Sequence, residues 1–259
     1  MNPWWKMTKT PDNPALVRLH KIIAKSGVLS LRAAERAIGE GRVEVNGKMV
    51  TKMGTMADPA QDQITLDGQR IKAPDAHVYL MMYKPTGYVT TRSDEENRRT
   101  VMDLVPEEYS RLFPVGRLDI MSEGLLLLTN DGDFSQAILA PKNRIERVYQ
   151  VKVRNIPDKK TLDKMVSGIT LDGEKVKVKT VTLVSSTKTN ARLELTLTEG
   201  KKRHIRRLCQ TLGIPAMKIK RVAFGPLKLG NLKPGEIIHV TVEKINTIKK
   251  MARAGGKKK

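Results

Sequence analysis

The sequence predicts an α+β protein in two parts: a small α/β module, then a larger domain on a mixed, mostly antiparallel sheet. Three observations carry this. Alternating apolar segments outnumber helix-spaced ones and do not follow strict βα alternation. Two hairpin signals, Asn46-Gly47 and Asp67-Gly68, crowd into the first 72 residues. After Ala73-Pro74-Asp75, which reads as a linker, the texture changes to longer apolar runs.

Residues 1–13 read as a flexible leader. Residues 15–25 read as a helix, with Leu16, Leu19 and Ile23 on one face and Arg18, Lys21 and Lys25 repeating the spacing on another. Gly27 ends it. Ser30 is the expected N-cap of a second helix that turns Leu31, Ala34 and Ile38 inward and carries Arg32 and Arg36 four apart. The Asn-Gly and Asp-Gly pairs lie between short apolar runs, and both positions of such a turn need φ > 0. Residues 14–72 thus form one module.

The second domain is expected over 77–246. Residues 78–83 are a strand closed by Lys84-Pro85. Residues 124–129 hold four consecutive leucines, the pattern of a strand buried on both faces. Asp131-Gly132 reads as a turn, and 134–140 as a helix stopped by Pro141. Tyr149, Val151 and Val153 alternate as in a half-buried strand. Residues 161–169 read as a helix through Leu162, Met165, Val166 and Ile169. Val176/Val178 and Leu193/Leu195/Leu197 give two more strands. Ile205, Leu208 and Leu212 are helix-spaced before Gly213 and Pro215. Strands are favoured up to Val242. Residues 247–259, rich in Lys and Gly, read as a disordered basic tail.

The charge narrows the function. Lys and Arg number 48 against 27 Asp and Glu, a net +21. Such a chain suits a polyanion, since each neutralised phosphate releases counterions. No run of about 18 apolar residues exists to span a bilayer. The first twelve residues do not read as a signal peptide. The single Cys209 can form no internal disulfide, which fits a reducing, cytoplasmic setting. With 4% aromatics, broad base-stacking platforms are not expected. Phosphate-gripping and dinucleotide glycine loops are absent, and acidic clusters such as Asp94-Glu95-Glu96 lack metal-ligand spacing, so no cofactor and no metal are expected.

Four segments together resemble a family. Residues 14–72 look like the S-four-like RNA-binding domain. MYKPTGYVTT at 82–91, VGRLDIMSEGLLLLTNDGD at 115–133 and EGKKRHIRRLCQTL at 199–212 are similar, in that order, to the motifs of RsuA/RluB-type ribosomal RNA pseudouridine synthases. The resemblance spans 14–242, and its middle motif is the most specific. It implies isomerisation of uridine to pseudouridine in ribosomal RNA, the large-subunit RNA slightly favoured over the small. It implies no cofactor, no membrane and no obligate protein partner. The alternative is a non-catalytic RNA-binding or ribosome-assembly protein.

The resemblance also assigns roles. Asp119 becomes the catalytic carboxylate, adding to the sugar or removing its C2′ proton. Arg206 becomes the cation beside it, and Tyr149 the ring that stacks on the base or relays a proton. Arg117 would brace the gap left by an extruded uridine. Lys84, with Gly87, would shape an RNA-binding loop near the pocket. Lys202, Arg203 and Arg207 would meet phosphates, as would Arg18, Lys21, Lys25, Arg32 and Arg36 in the module. The family most often has Gln or Glu where His204 stands; His204 is read as a surface histidine. A carboxylate-pair hydrolase using Asp119 and Glu123 is the remote rival.

Overall fold

The computed structural model describes residues 16–72, 76–201 and 203–256. The expected leader and the 73–75 linker lie outside the described residues. The chain divides into two compact units between Ala76 and His77.

The N-terminal unit runs β1 (Val17–Arg18), α1 (Leu19–Lys25), α2 (Leu31–Gly39), β2 (Val43–Val45), β3 (Lys48–Val50), β4 (Met56–Ala57), β5 (Ile64–Leu66) and β6 (Gln69–Arg70). Its sheet has the order β3-β2-β5-β6, with every pair antiparallel. Both hairpin turns form as their sequences require, with Asn46 and Gly47 at φ 53° and 74° and Asp67 and Gly68 at 50° and 75°. Ser30 caps α2, its Oγ accepting from Ala33 N. The core is Leu19, Ile23, Ala34, Ala37, Ile38 and Val43.

Two expectations change here. The first helix starts at Leu19, because Val17 and Arg18 pair with Ala57 and Met56 in β4. Arg18 is therefore a strand residue, and only Lys21 and Lys25 share a helix. Leu16 and Leu31, expected inward, are exposed.

The second unit runs β7 (Tyr79–Lys84), β8 (Phe113–Val115), β9 (Ser122–Thr129), α3 (Gly132–Leu139), β10 (Arg147–Arg154), α4 (Lys159–Ser167), β11 (Ile169–Leu171), β12 (Glu174–Val176), β13 (Thr180–Ser186), β14 (Asn190–Leu197), α5 (His204–Thr211), β15 (Ala216–Phe224), β16 (Leu227–Lys228), β17 (Ile237–His239) and α6 (Val242–Gly255). Nine strands make one sheet, ordered β13-β14-β10-β15-β9-β7-β17, with β16 beside β15 and β8 beside β9. Among the described strands of this sheet only β9 and β15 pair in parallel; the other pairs are antiparallel. The mixed sheet of the sequence reading is the sheet observed.

The leucine run explains the middle of the sheet. All eight residues of β9 are buried. Leu125 and Leu127 pack with Phe134, Ile138 and Ile248, and Leu126 and Leu128 with Val101 and Leu112. A third core joins Tyr149, Val151 and Val153 to Met165, Leu208 and Cys209. Where β9 meets β15, Gly124 sits at φ 106°, and a Cβ there would lie 2.2 Å from the Arg221 carbonyl oxygen. Only glycine fits so close an approach.

Asp131 caps α3, its Oδ1 accepting from Phe134 N at 2.9 Å. The Tyr79 hydroxyl donates to its Oδ2 at 2.6 Å, and Lys249 Nζ reaches both at 3.1 and 2.9 Å. Lys249 belongs to α6, which corrects the expected tail. Residues 247–255 are helical, and the second unit does not stop at 246. The Lys/Gly composition suggested disorder, but Ile245, Ile248 and Ala252 form a buried stripe that outweighs it. Helix α4 ends at Ser167: Val166 is exposed and Ile169 opens β11.

Candidate active site

The site grows from the turn after β8. Gly116 stands at φ 72°, and Asp119 opens a tight turn in which Ser122 N donates to Asp119 O at 2.9 Å. The first motif holds this turn from beneath. Lys84 Nζ donates to the carbonyls of Ser122 (2.8 Å), Pro85 (2.9 Å), Asp119 (3.3 Å) and Ile120 (3.4 Å). Gly87 N donates to Ile120 O at 2.8 Å, and Thr90 Oγ1 to Leu118 O at 2.7 Å. The peptide that carries Asp119 is thus bonded along its length.

Lys84 is 0% exposed. It does not reach RNA, so its expected place among the RNA contacts is corrected: it shapes the loop from inside. Burial lowers its pKa to about 8, against the pull of Asp119 and Glu123.

Arg206, in the first turn of α5, enters from the other side. Its Nε lies 3.7 Å from Asp119 Oδ2. Its other nitrogens donate to Met121 O at 2.9 Å and Ala216 O at 3.4 Å. One guanidinium thus pairs with the carboxylate and ties its turn to the start of β15. Tyr149, buried on β10, completes an open recess of about 90 Å³ also lined by Arg117, His204, Leu197 and Ile219. The sequence-predicted trio Asp119, Tyr149 and Arg206 therefore meets in one place.

The surrounding residues divide. Arg117 and Arg203 are exposed at the recess, Arg203 with a left-handed φ of 50°. Arg207 does not line it; it pairs with Asp172 at 2.5 Å. Lys202 lies outside the described residues. His204, expected at the surface, is 4% exposed, because α5 turns it inward beside Ile205. Its Nε2 meets Lys177 O at 3.0 Å, and burial lowers its pKa. Glu123 is buried against Lys218 at 3.1 Å and does not line the recess, which removes the carboxylate-pair reading. In the N-terminal unit Arg18, Arg32 and Arg36 are exposed, and Lys21 and Lys25 half-buried. Sequence reasoning missed Thr90 and the apolar walls Leu197 and Ile219. Nothing in their local pattern distinguishes them from ordinary strand and loop residues.

Among the described residues no group of three His, Cys, Asp or Glu could hold a metal ion. Likewise no helix is long and apolar enough to cross a membrane.

Residues 78–211 match the RNA pseudouridylate synthase family, and residues 17–64 the S4 domain. The chain is 37% identical to the ribosomal large subunit pseudouridine synthase B of Bacillus subtilis, over 92% of this chain and 98% of that one. It is 39% identical to an uncharacterized RNA pseudouridine synthase of Aquifex aeolicus, over 85% and 88%. A crystal structure of a pseudouridylate synthase superposes with a TM-score of 0.64 at 28% identity, covering 90% of this chain and 99% of that chain. A carboxylate–guanidinium recess, an S4 match earlier in the sequence and relatives aligned over most of both chains agree: the chain belongs to the RNA pseudouridylate synthase family.

Proposed function

We propose that this enzyme converts one uridine of ribosomal RNA to pseudouridine in the cytoplasm, with the large-subunit RNA as its substrate and Asp119 as its catalytic carboxylate. The observation that carries the reading is the Asp119–Arg206 pair at the mouth of the recess. The reaction breaks the C1′–N1 bond and forms C1′–C5; C5 loses a proton and N1 gains one. A carboxylate can open it by adding to C1′ or by removing the C2′ proton. Either route leaves the detached base held by the walls while it turns. Arg206 balances the carboxylate's charge, and Tyr149 offers a ring to the base. Arg117 and Arg203, exposed at the rim, are suited to the RNA around an extruded nucleotide. The basic side chains of the N-terminal unit supply long-range attraction to phosphate.

The test is a pseudouridine map of both ribosomal RNAs from a strain lacking the gene. One large-subunit position should lose its pseudouridine and regain it on complementation with the wild-type gene but not with Asp119→Asn. A lost site in the small-subunit RNA would move the substrate, and an unchanged map would refute the reading.

A further inference from the structure

Strand β10 alternates, with Tyr149, Val151 and Val153 buried and Gln150, Lys152 and Arg154 exposed. The buried set meets Met165 of α4 and Leu208 of α5, on the face that carries the recess. Successive side chains of a strand point to opposite faces, so Lys152 lies on the far side of the sheet from the recess. Strand β14 repeats the pattern, with Leu193 and Leu195 in and Arg192 and Glu194 out. On β15, Ile219 lines the recess and Lys218 before it is exposed. The register sets three outward cations side by side: Lys152 pairs with Arg192 on one flank and with Lys218 on the other. Adjacent strands lie about 4.8 Å apart, so the row is about 10 Å long and held on rigid backbone. Lys218 has an acidic partner, Glu123 at 3.1 Å. Lys152 and Arg192 have no ion-pair partner among the described residues. Like charges directly across a strand pair destabilise a sheet. The free chain bears that cost, and a polyanion laid along the row would remove it.

We propose that this outer sheet face is a second RNA-binding surface: the row Arg192–Lys152–Lys218 grips phosphates of a ribosomal RNA segment other than the one whose uridine enters the recess. The inference rests on the ribosomal RNA reading above. Charge complementarity selects the occupant. Arg154 extends the positive charge along β10, against the single exposed acid Glu194 in the next row. None of these outward side chains is aromatic, so the face offers bases nothing to stack on and reads backbone alone. A hairpin seated in the recess cannot also reach the row, because the sheet stands between them. The two faces of one sheet then hold two segments of a folded RNA. The second contact raises the effective concentration of the target at the recess without touching the chemistry.

The test uses the full-length enzyme and two RNAs: a short hairpin carrying the mapped uridine, and the folded ribosomal RNA domain that contains it. Affinity is measured across a range of salt, separately from tritium release. Lys152→Gln with Arg192→Gln should weaken binding to the domain roughly tenfold and lower the slope of log K against log salt by about two. Hairpin affinity, and tritium release from the hairpin at saturation, should stay within about twofold of wild type. The melting temperature should not fall, since a repulsion has been removed. Lys152→Arg with Arg192→Lys keeps both charges and should bind the domain as wild type does. An unchanged affinity and slope on the domain would overturn the proposal, leaving the row to solvent or to an acidic protein. An equal loss on both RNAs would also overturn it, since the cations would then act as a general field and not as a second contact. If wild type releases no tritium from either RNA, the pseudouridine reading fails, and the binding comparison still decides the row.

Discussion

The N-terminal unit and the catalytic unit are both rich in cations but dispose them differently. In the first, Arg18, Arg32 and Arg36 face outward. In the second, Lys84, Arg147 and Arg221 are buried, and Arg206 is bonded on several sides. Arg147 and Arg221 flank the Phe224 ring at 4.9 and 5.5 Å. An exposed cation acts through its field and the counterions it displaces, so its exact position matters little and salt weakens it. A buried cation acts through directional bonds to particular carbonyls, which salt scarcely screens. The outward set should therefore be individually dispensable, and the inward set individually costly.

The sharpest break in that comparison is Asp119→Asn. Tritium release should fall to background while RNA affinity stays within a few-fold, because the carboxylate serves chemistry and the outward cations serve binding. Near-normal turnover would remove Asp119 from the mechanism.

Lys84→Met comes next. It leaves carbonyls of the Asp119 turn without their donor, a cost of about 1–3 kcal/mol. Turnover should drop roughly tenfold or more, since displacing the carboxylate by a fraction of an ångström suffices. Lys84 also predicts a pH effect. Its folded pKa of about 8 lies below its ordinary value, 10.5. Between these the unfolded chain binds more protons, so this group alone raises stability as pH rises. The neutral amine has fewer hydrogens for its four carbonyls, so turnover should nevertheless decline through about pH 8. A pH–rate profile beside melting curves would show the two moving apart, and the decline should be absent in Lys84→Met. A variant with an unchanged profile would deny Lys84 this role.

Deleting residues 1–74 acts on the outward set. RNA binding should weaken and its salt dependence flatten, while the remaining chain still converts a short target at high concentration. A folded fragment that binds the target but never modifies it would mean the module helps build the site. The smallest effect is expected from Arg32→Ser with Arg36→Ser. Affinity should fall several-fold and the slope of log K against log salt by about two, with turnover at saturating RNA unchanged. An unaltered slope would mean these arginines only solvate α2.

Local signals made much of this legible. Asn46-Gly47, Asp67-Gly68 and the Ser30 cap are decided by a few adjacent residues, and each forms as read. The leucine run announced β9 because burial on both faces leaves no room for alternation. What escaped depends on partners distant in sequence. Val17-Arg18 is a strand only because Met56-Ala57 lies beside it. The parallel pairing of β9 with β15 joins segments about a hundred residues apart. Lys84 reads in sequence as part of an RNA-binding loop because the carbonyls that bury it, at 119, 120 and 122, lie some 35 residues on. Composition hid α6, although its apolar spacing was there to be counted. The trio Asp119, Tyr149 and Arg206 was found through motif resemblance; the bonds that fix its geometry were not.

Cys209 has a practical consequence. It is the only cysteine, fully buried within α5, and burial pushes its thiol up to about 12. Maleimides attack thiolate, so the native chain should be silent to them at neutral pH. Lys48→Cys in the first unit and Lys188→Cys in the second, both at exposed positions, would then take up fluorophores with no competing background. Energy transfer between such dyes, read as ribosomal RNA is titrated in, would report any change in the distance between the units without removing a single native thiol.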